Sequence, residues 1–123
     1  MKSLRVFLVE DENLIAMMIE EMLHDLGHRV AGSAASVGEA LYAVEALDFD
    51  IALLDVNLAN EMVFPVADAL RRRRIPFAFA SGYGVGGVRQ DLRDAPVLVK
   101  PFSSEELDTA LGKACETVRD RRQ

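Results

Sequence analysis

Cysteine is almost missing from this chain: Cys115 is the only one in 123 residues. No internal disulfide and no cysteine-based metal cluster can form, which fits a reducing compartment. Long apolar runs are missing too, the longest being a handful of residues against the ~20 that a membrane span needs. At the start, Met1, Lys2, Ser3, Leu4 and Arg5 give way to charge again at Glu10 and Asp11, too soon for a secretory signal. A cytoplasmic protein without a membrane partner is expected. A basic excess is also lacking. Fourteen Lys plus Arg face twenty Asp plus Glu, for a net charge of −6, so the chain is a poor generic ligand for nucleic-acid phosphate and no nucleic-acid partner is expected. The imbalance is uneven: residues 1–62 carry 3 bases and 12 acids, whereas residues 63–123 carry 11 bases and 8 acids. No repeat or low-complexity linker divides the chain, and its length fits one domain over residues 1–123. Half the residues are apolar, enough for an ordinary core.

Short continuous apolar runs alternate with segments of helical period. Residues 4–9, 51–54, 77–80 and 96–99 read as strands covered on both faces, with a weaker strand at 29–34. Ile15, Met18, Ile19, Met22, Leu23 and Leu26 recur at three- and four-residue spacing, which predicts a first helix ended by Gly27. Its methionines are expected to pack in the core rather than form a docking surface. Ser36 and Glu39 form a capping-box pattern that opens a second helix with Ala40, Leu41, Val44 and Leu47 on its apolar side. Pro65 suits the first turn of a third, whose end at Arg71, Arg72, Arg73 and Arg74 reads as a solvated cationic terminus. Ser103 and Glu106 repeat the capping box before a last helix that aligns Leu107, Leu111, Ala114, Cys115 and Val118; the polar tail 119–123 is expected to fray. His24 and His28 read as surface or capping groups. Residues 82–95 hold four of the eight glycines where a fourth helix belongs, and glycine costs a helix ~1 kcal/mol. A short, late or mobile helix around residues 88–92 is expected there, so that the fourth helix is irregular or short. The order predicts an α/β fold, a doubly wound parallel sheet.

In such sheets ligands gather beyond the carboxyl ends of the strands. The polar residues at those ends are Glu10 and Asp11, Asp55, Ser81, and Lys100 before Pro101. Three carboxylates held together repel unless a cation or shared protons relieve them, and oxygen ligands without His or Cys favour Mg²⁺. Asp55 could then attack phosphorus as a carboxylate nucleophile, with Lys100 neutralising phosphoryl oxygens and Ser81 offering a hydroxyl. Removing Asp11 from the metal-free protein is expected to relieve repulsion without a loss of stability. Read alone, Glu10, Asp11 and Glu12 also suit a helix N-terminus, and Ser81 before Gly82 suits a turn. The stretch from Gly82 to Gly87 matches G-x-G-x-x-G but follows the fourth strand and opens no clear helix, so it fails as a dinucleotide loop.

Taken together, Glu10-Asp11, Leu53-Leu54-Asp55, Ser81 and Val99-Lys100-Pro101-Phe102 resemble the receiver domains of two-component response regulators, over essentially the whole chain. The resemblance implies a flavodoxin-like five-stranded sheet of order 2-1-3-4-5. It also implies that Asp11, Asp55 and the backbone carbonyl of Asn57 bind Mg²⁺, with Glu10 acting through water. Asp55 would accept a phosphoryl group from a sensor histidine kinase or histidine phosphotransfer protein, and Ser81 would swing towards it. The output would be a contact with a downstream protein partner. The run Asn57-Leu58-Ala59-Asn60-Glu61 departs from the family's usual Pro and Gly turn, so a loop of different shape is expected. Val97 stands where many receivers carry an aromatic switch. Tyr83 is the nearest aromatic, and Phe79-Ala80-Ser81-Gly82-Tyr83 resembles a single-domain subgroup with a Phe-Ala-Thr-Gly signature. Two other readings stay open: a degenerate receiver used as an interaction module, and a phosphatase turning over through an aspartyl phosphate, for which Asn57 is a poor general acid.

Overall fold

The computed structural model describes residues 3–122, with side chains through Thr117. Strands β1 (Arg5–Val9), β2 (Arg29–Ala34), β3 (Ile51–Asp55), β6 (Phe77–Ser81) and β7 (Val97–Val99) form one parallel sheet of order β2-β1-β3-β6-β7. This is the doubly wound order anticipated, with β6 and β7 as the fourth and fifth strands. Two further strands, β4 (Asn57–Leu58) and β5 (Glu61–Met62), make a separate hairpin, and the helices are α1 (Asn13–Asp25), α2 (Val37–Ala46), α3 (Phe64–Arg72) and α4 (Ser104–Arg122).

The inner strands β1, β3 and β6 are almost continuously apolar because both faces of the sheet are covered there, whereas the edge strands β2 and β7 are partly exposed. Alternation along β1 and β3 sends Phe7, Val9, Ala52 and Leu54 into one core with α2 and α3, and Val6, Leu8, Ile51 and Leu53 into the other with α1 and α4. Each fully buried Phe, Leu or Ile stabilises the fold by about 1.5–3 kcal/mol. The helix ends follow local chemistry. Gly27, at φ 87°, closes α1 while His28 N–H bonds Leu23 O at 2.9 Å and Gly27 N–H bonds His24 O at 2.9 Å, the two bonds of a Schellman turn. At α4 the box is reciprocal: Ser103 N–H donates to Glu106 Oε1 (2.9 Å) and Glu106 N–H to Ser103 Oγ (3.1 Å). At α2 Ser36 Oγ accepts from Glu39 N–H, but Glu39 reaches one residue further back, to Ala35 N–H.

The fourth helix is short and irregular, as expected: two 3₁₀ turns, Gly84–Gly87 and Gln90–Leu92, stand in its place, because the glycines at 82–87 disfavour a regular α-helix. Four other expectations need correction. Met22 packs on the core, but Met17 and Met18 are 63% and 59% exposed: the stripe on α1 is wider than the strip that faces the sheet. On α2, Leu41 and Leu47 lie at the exposed rim while Ala40, Ala43 and Val44 are buried. His28 is buried, its Nδ1 accepting Leu4 N–H at 3.1 Å and its Nε2 lying 3.3 Å from Asp108, so it ties β1 to α4. The arginine run is partly anchored: Arg71 pairs with Asp94 at 2.9 Å and lies over Phe77, and Arg73 bonds the Val44 carbonyl. The side chains of Val118 and of the tail 119–123 lie outside the described residues.

The departure after Asp55 has a defined shape. Ala59 (φ 44°) and Asn60 (φ 76°) are both left-handed between Leu58 and Glu61, the pattern of a two-residue type I′ hairpin turn. Alanine carries a steric cost there that asparagine largely avoids. Ala59→Asn is therefore expected to stabilise the protein by roughly 0.5–1 kcal/mol, read as a raised urea midpoint. A lowered midpoint would count against the left-handed turn.

Candidate functional site

The chain leaves β1 for β2 on one side of the sheet and reaches β3 on the other, so a crevice opens between the ends of β1 and β3. Glu10 and Asp11 follow β1, Asp55 ends β3, Ser81 ends β6 and Lys100 follows β7. One oxygen from each of Glu10, Asp11 and Asp55 lies within 4.8 Å of the others, a spacing one cation could bridge. Glu10, Asp55 and Ser81 are buried; Asp11 and Lys100 are half-buried.

Backbone bonds hold these residues rigidly. Glu10 N–H bonds Ala34 O at 3.0 Å, Val56 N–H bonds Ala80 O at 3.1 Å, and Lys100 N–H bonds Ser81 O at 3.0 Å. Lys100 Nζ then sits between two acids, 3.2 Å from Glu10 Oε2 and 3.1 Å from Asp55 Oδ1. Burial alone would lower the lysine's pKa, but the charges of Asp55 and Glu10 outweigh it and hold it above the ordinary value. One ammonium cannot balance three carboxylates, and Glu10 shows the deficit. Its burial, opposed by the Glu12 N–H bond and reinforced by the Asp55 charge, lifts its pKa from 4.5 to about 7.

Two contacts here escaped the sequence. Asp11 Oδ2 accepts the N–H of Ala59 at 3.0 Å, so Asp11 has a structural partner, contrary to the view of it as a purely repulsive group. The donor is a main-chain amide, which no residue type announces. The second is the seat of Ser81, whose Oγ accepts Tyr83 N–H at 3.0 Å beside Gly87.

The hairpin also orients Asn57. Val63 N–H bonds Val56 O at 2.9 Å, and Leu58 faces Glu61 next to the turn. Asn57 and Met62 therefore form the intervening non-hydrogen-bonded pair, whose carbonyls point away from the partner strand. Two further residues, Val97 and Tyr83, are the candidates for output. Val97 pairs with Phe79 and packs against the α3 side of the core, and the Tyr83 side chain is 86% exposed.

Residues 6–112 match the family model described as the response regulator receiver domain. Transcriptional regulatory protein PdtaR of Mycobacterium tuberculosis is 31% identical over 120 residues, 94% of this chain and 58% of that protein. The chain thus spans little more than half of this curated relative. The solution structure of SdrG from Sphingomonas melonis Fr1 superposes with a TM-score of 0.83 at 43% identity, covering 93% of this chain and 98% of that one. The response regulator PhyR from Brucella abortus superposes at 0.82 with 28% identity, covering 98% of this chain and 51% of its own.

The Glu10 shift has a definite sign. The folded state holds this proton more tightly than the unfolded chain, so the contribution is complete below about pH 4.5 and is lost as pH rises through about 7. In metal-free buffer, urea unfolding from pH 5 to pH 8 should show wild type losing stability relative to Glu10→Gln. Parallel pH profiles would rule out the buried, protonated Glu10.

Proposed function

The chain belongs to the response regulator receiver domain family, and we propose that it is a phosphorylation switch whose acceptor is Asp55. Receivers are in general signalling modules rather than turnover enzymes, and one observation carries the finer reading: the Lys100 ammonium held between Glu10 and Asp55 beside Asp11. An isolated buried acidic cluster would be costly; one that awaits a cation and a phosphoryl group has a use for its excess charge.

The donor set fits Mg²⁺: carboxylates of Asp11 and Asp55, the outward carbonyl of Asn57, and Glu10 through water, with no His or Cys in the cluster. Bound there, the ion supplies charge neutralisation at the phosphoryl oxygens. The chain's own groups do the rest. A carboxylate oxygen of Asp55 forms the new O–P bond as the P–N bond of a partner's phosphohistidine breaks, and the electron pair leaves with the imidazole nitrogen, which takes up a proton. Lys100 then has a phosphoryl oxygen to neutralise in addition to a carboxylate, and the Ser81 hydroxyl can donate to another.

The partner is a sensor histidine kinase or histidine phosphotransfer protein, followed by a downstream protein. Leu14, Met17 and Met18 are exposed on α1, and a hollow of about 250 Å³ lined by Ile15, Met18, Met22, Pro101 and Phe102 lies beside Lys100, a suitable seat for an apolar helix of the donor. Asn57, two residues after the acceptor, is no proton donor for rapid turnover, which disfavours the phosphatase reading. The intact set of acids, Ser81 and Lys100 disfavours a degenerate module.

Incubation with Mg²⁺ and acetyl phosphate should label wild type once, at Asp55, and leave Asp55→Asn unlabelled. Mg²⁺ at 100 times its Kd should stabilise the native protein by about 2.7 kcal/mol, seen as a raised melting temperature. Equal labelling of Asp55→Asn would exclude Asp55 as the acceptor.

A further inference from the structure

The glycine-rich segment after β6 is poor in helix, yet one of its glycines has a steric role that conformation does not explain. Gly84 is left-handed at φ 60°, but Gly87 is not in that region, so its backbone would accept any residue. Space is the constraint. A Cβ on Gly87 would lie 2.7 Å from Ser81 Oγ, well inside contact distance, while its other near neighbours, Tyr83 Cβ and Ser81 Cβ, would stand at 3.4 and 3.8 Å. The Ser81 hydroxyl occupies the room that a side chain at 87 would take.

The neighbouring backbone is poorly placed to retreat. Val88 is buried, its N–H bonds Val85 O at 3.0 Å, and its carbonyl accepts Arg93 Nε at 2.9 Å. Arg89 is gripped by Asp68 and Asp91, each at 2.6 Å, and lies over the Phe64 ring. Ser81 is pinned through its own carbonyl to Lys100 N–H. The movable part is χ1 of Ser81, which can turn to another staggered position. Turning costs the hydroxyl its bond from Tyr83 N–H.

We propose that Gly87 is a positioning residue that keeps open the resting seat of the Ser81 hydroxyl, and so sets how readily that hydroxyl leaves for the phosphoryl site. The inference rests on the receiver reading above, since it takes Asp55 as the place where a phosphoryl group would draw Ser81. A side chain at 87 closes the seat. The hydroxyl then gives up its Tyr83 bond in advance, and the state that engages the phosphoryl group loses its competitor.

Amide hydrogen exchange at Tyr83 tests the seat without metal or phosphate. Wild type should protect this amide, Ser81→Ala and Gly87→Ala should each lose the protection, and the double variant should lose no more. Beryllofluoride titration in Mg²⁺ then tests the consequence: Gly87→Ala should bind roughly five-fold tighter, the equivalent of one net hydrogen bond, and only when the Ser81 hydroxyl is present. Protection retained in Gly87→Ala would overturn the proposal, as would unchanged affinity or an equal effect in the Ser81→Ala background. If Gly87→Ala does not fold, adding Ser81→Ala should restore folding, and failure to do so also overturns it. Absence of beryllofluoride binding by wild type would instead count against the phosphoacceptor reading, with the exchange result still deciding the seat.

Discussion

The site depends on one unequal balance: the Lys100 ammonium, 3.2 Å from Glu10 and 3.1 Å from Asp55, set against three carboxylates. The lysine makes the cluster tolerable without making it neutral. The remaining desolvation and repulsion appear in the raised pKa of Glu10, and they leave the cluster with negative charge that a bound cation would offset. A fully balanced site would have nothing left to gain from a ligand. Rigid support is what lets the strain persist, because Lys100 and Ser81 are joined through the backbone and Glu10 is joined in the same way to Ala34.

That support comes from the sheet. Its inner strands β1, β3 and β6 are buried on both faces and so are locked in register by two cores, and the carboxyl ends of the sheet bring together side chains as far apart as Glu10 and Lys100. The loops beyond those ends differ in stiffness for local reasons. After β3 a two-residue turn folds β4 onto β5 and ties Ala59 to Asp11. After β6 the glycines replace a helix with 3₁₀ turns, which ion pairs from Arg71 and Arg89 fasten on either side. A segment with little helical structure but firm attachments can hold a small side chain such as Ser81 in a defined place.

Much of this was legible residue by residue. Gly27, Ser36, Ser103 and Pro65 mark helix ends because capping and fixed φ are properties of single residues, and the structure uses each of them. The five site side chains could be located because strand ends in a parallel sheet converge on one edge. The methionines of α1 misled because periodicity describes a stripe without its width, and only the packed neighbour decides which members are covered. His28 misled because its partners, Leu4 and Asp108, are remote in sequence. The hairpin at 57–62 was visible only as a departure from a familiar loop, since Ala59 is an unfavourable residue for a left-handed turn.

Residue order alone therefore determined the five strands of the sheet, the four α-helices and the chemical groups at the sheet's edge, because hydrophobic period and capping act over a few residues. Packing in three dimensions decided the rest: which of the three acids Lys100 reaches, the Ala59 amide that holds Asp11, and the empty space at Gly87 that Ser81 fills. These are distances between elements, fixed by how two cores close around one sheet, and a space of that kind belongs to no single residue.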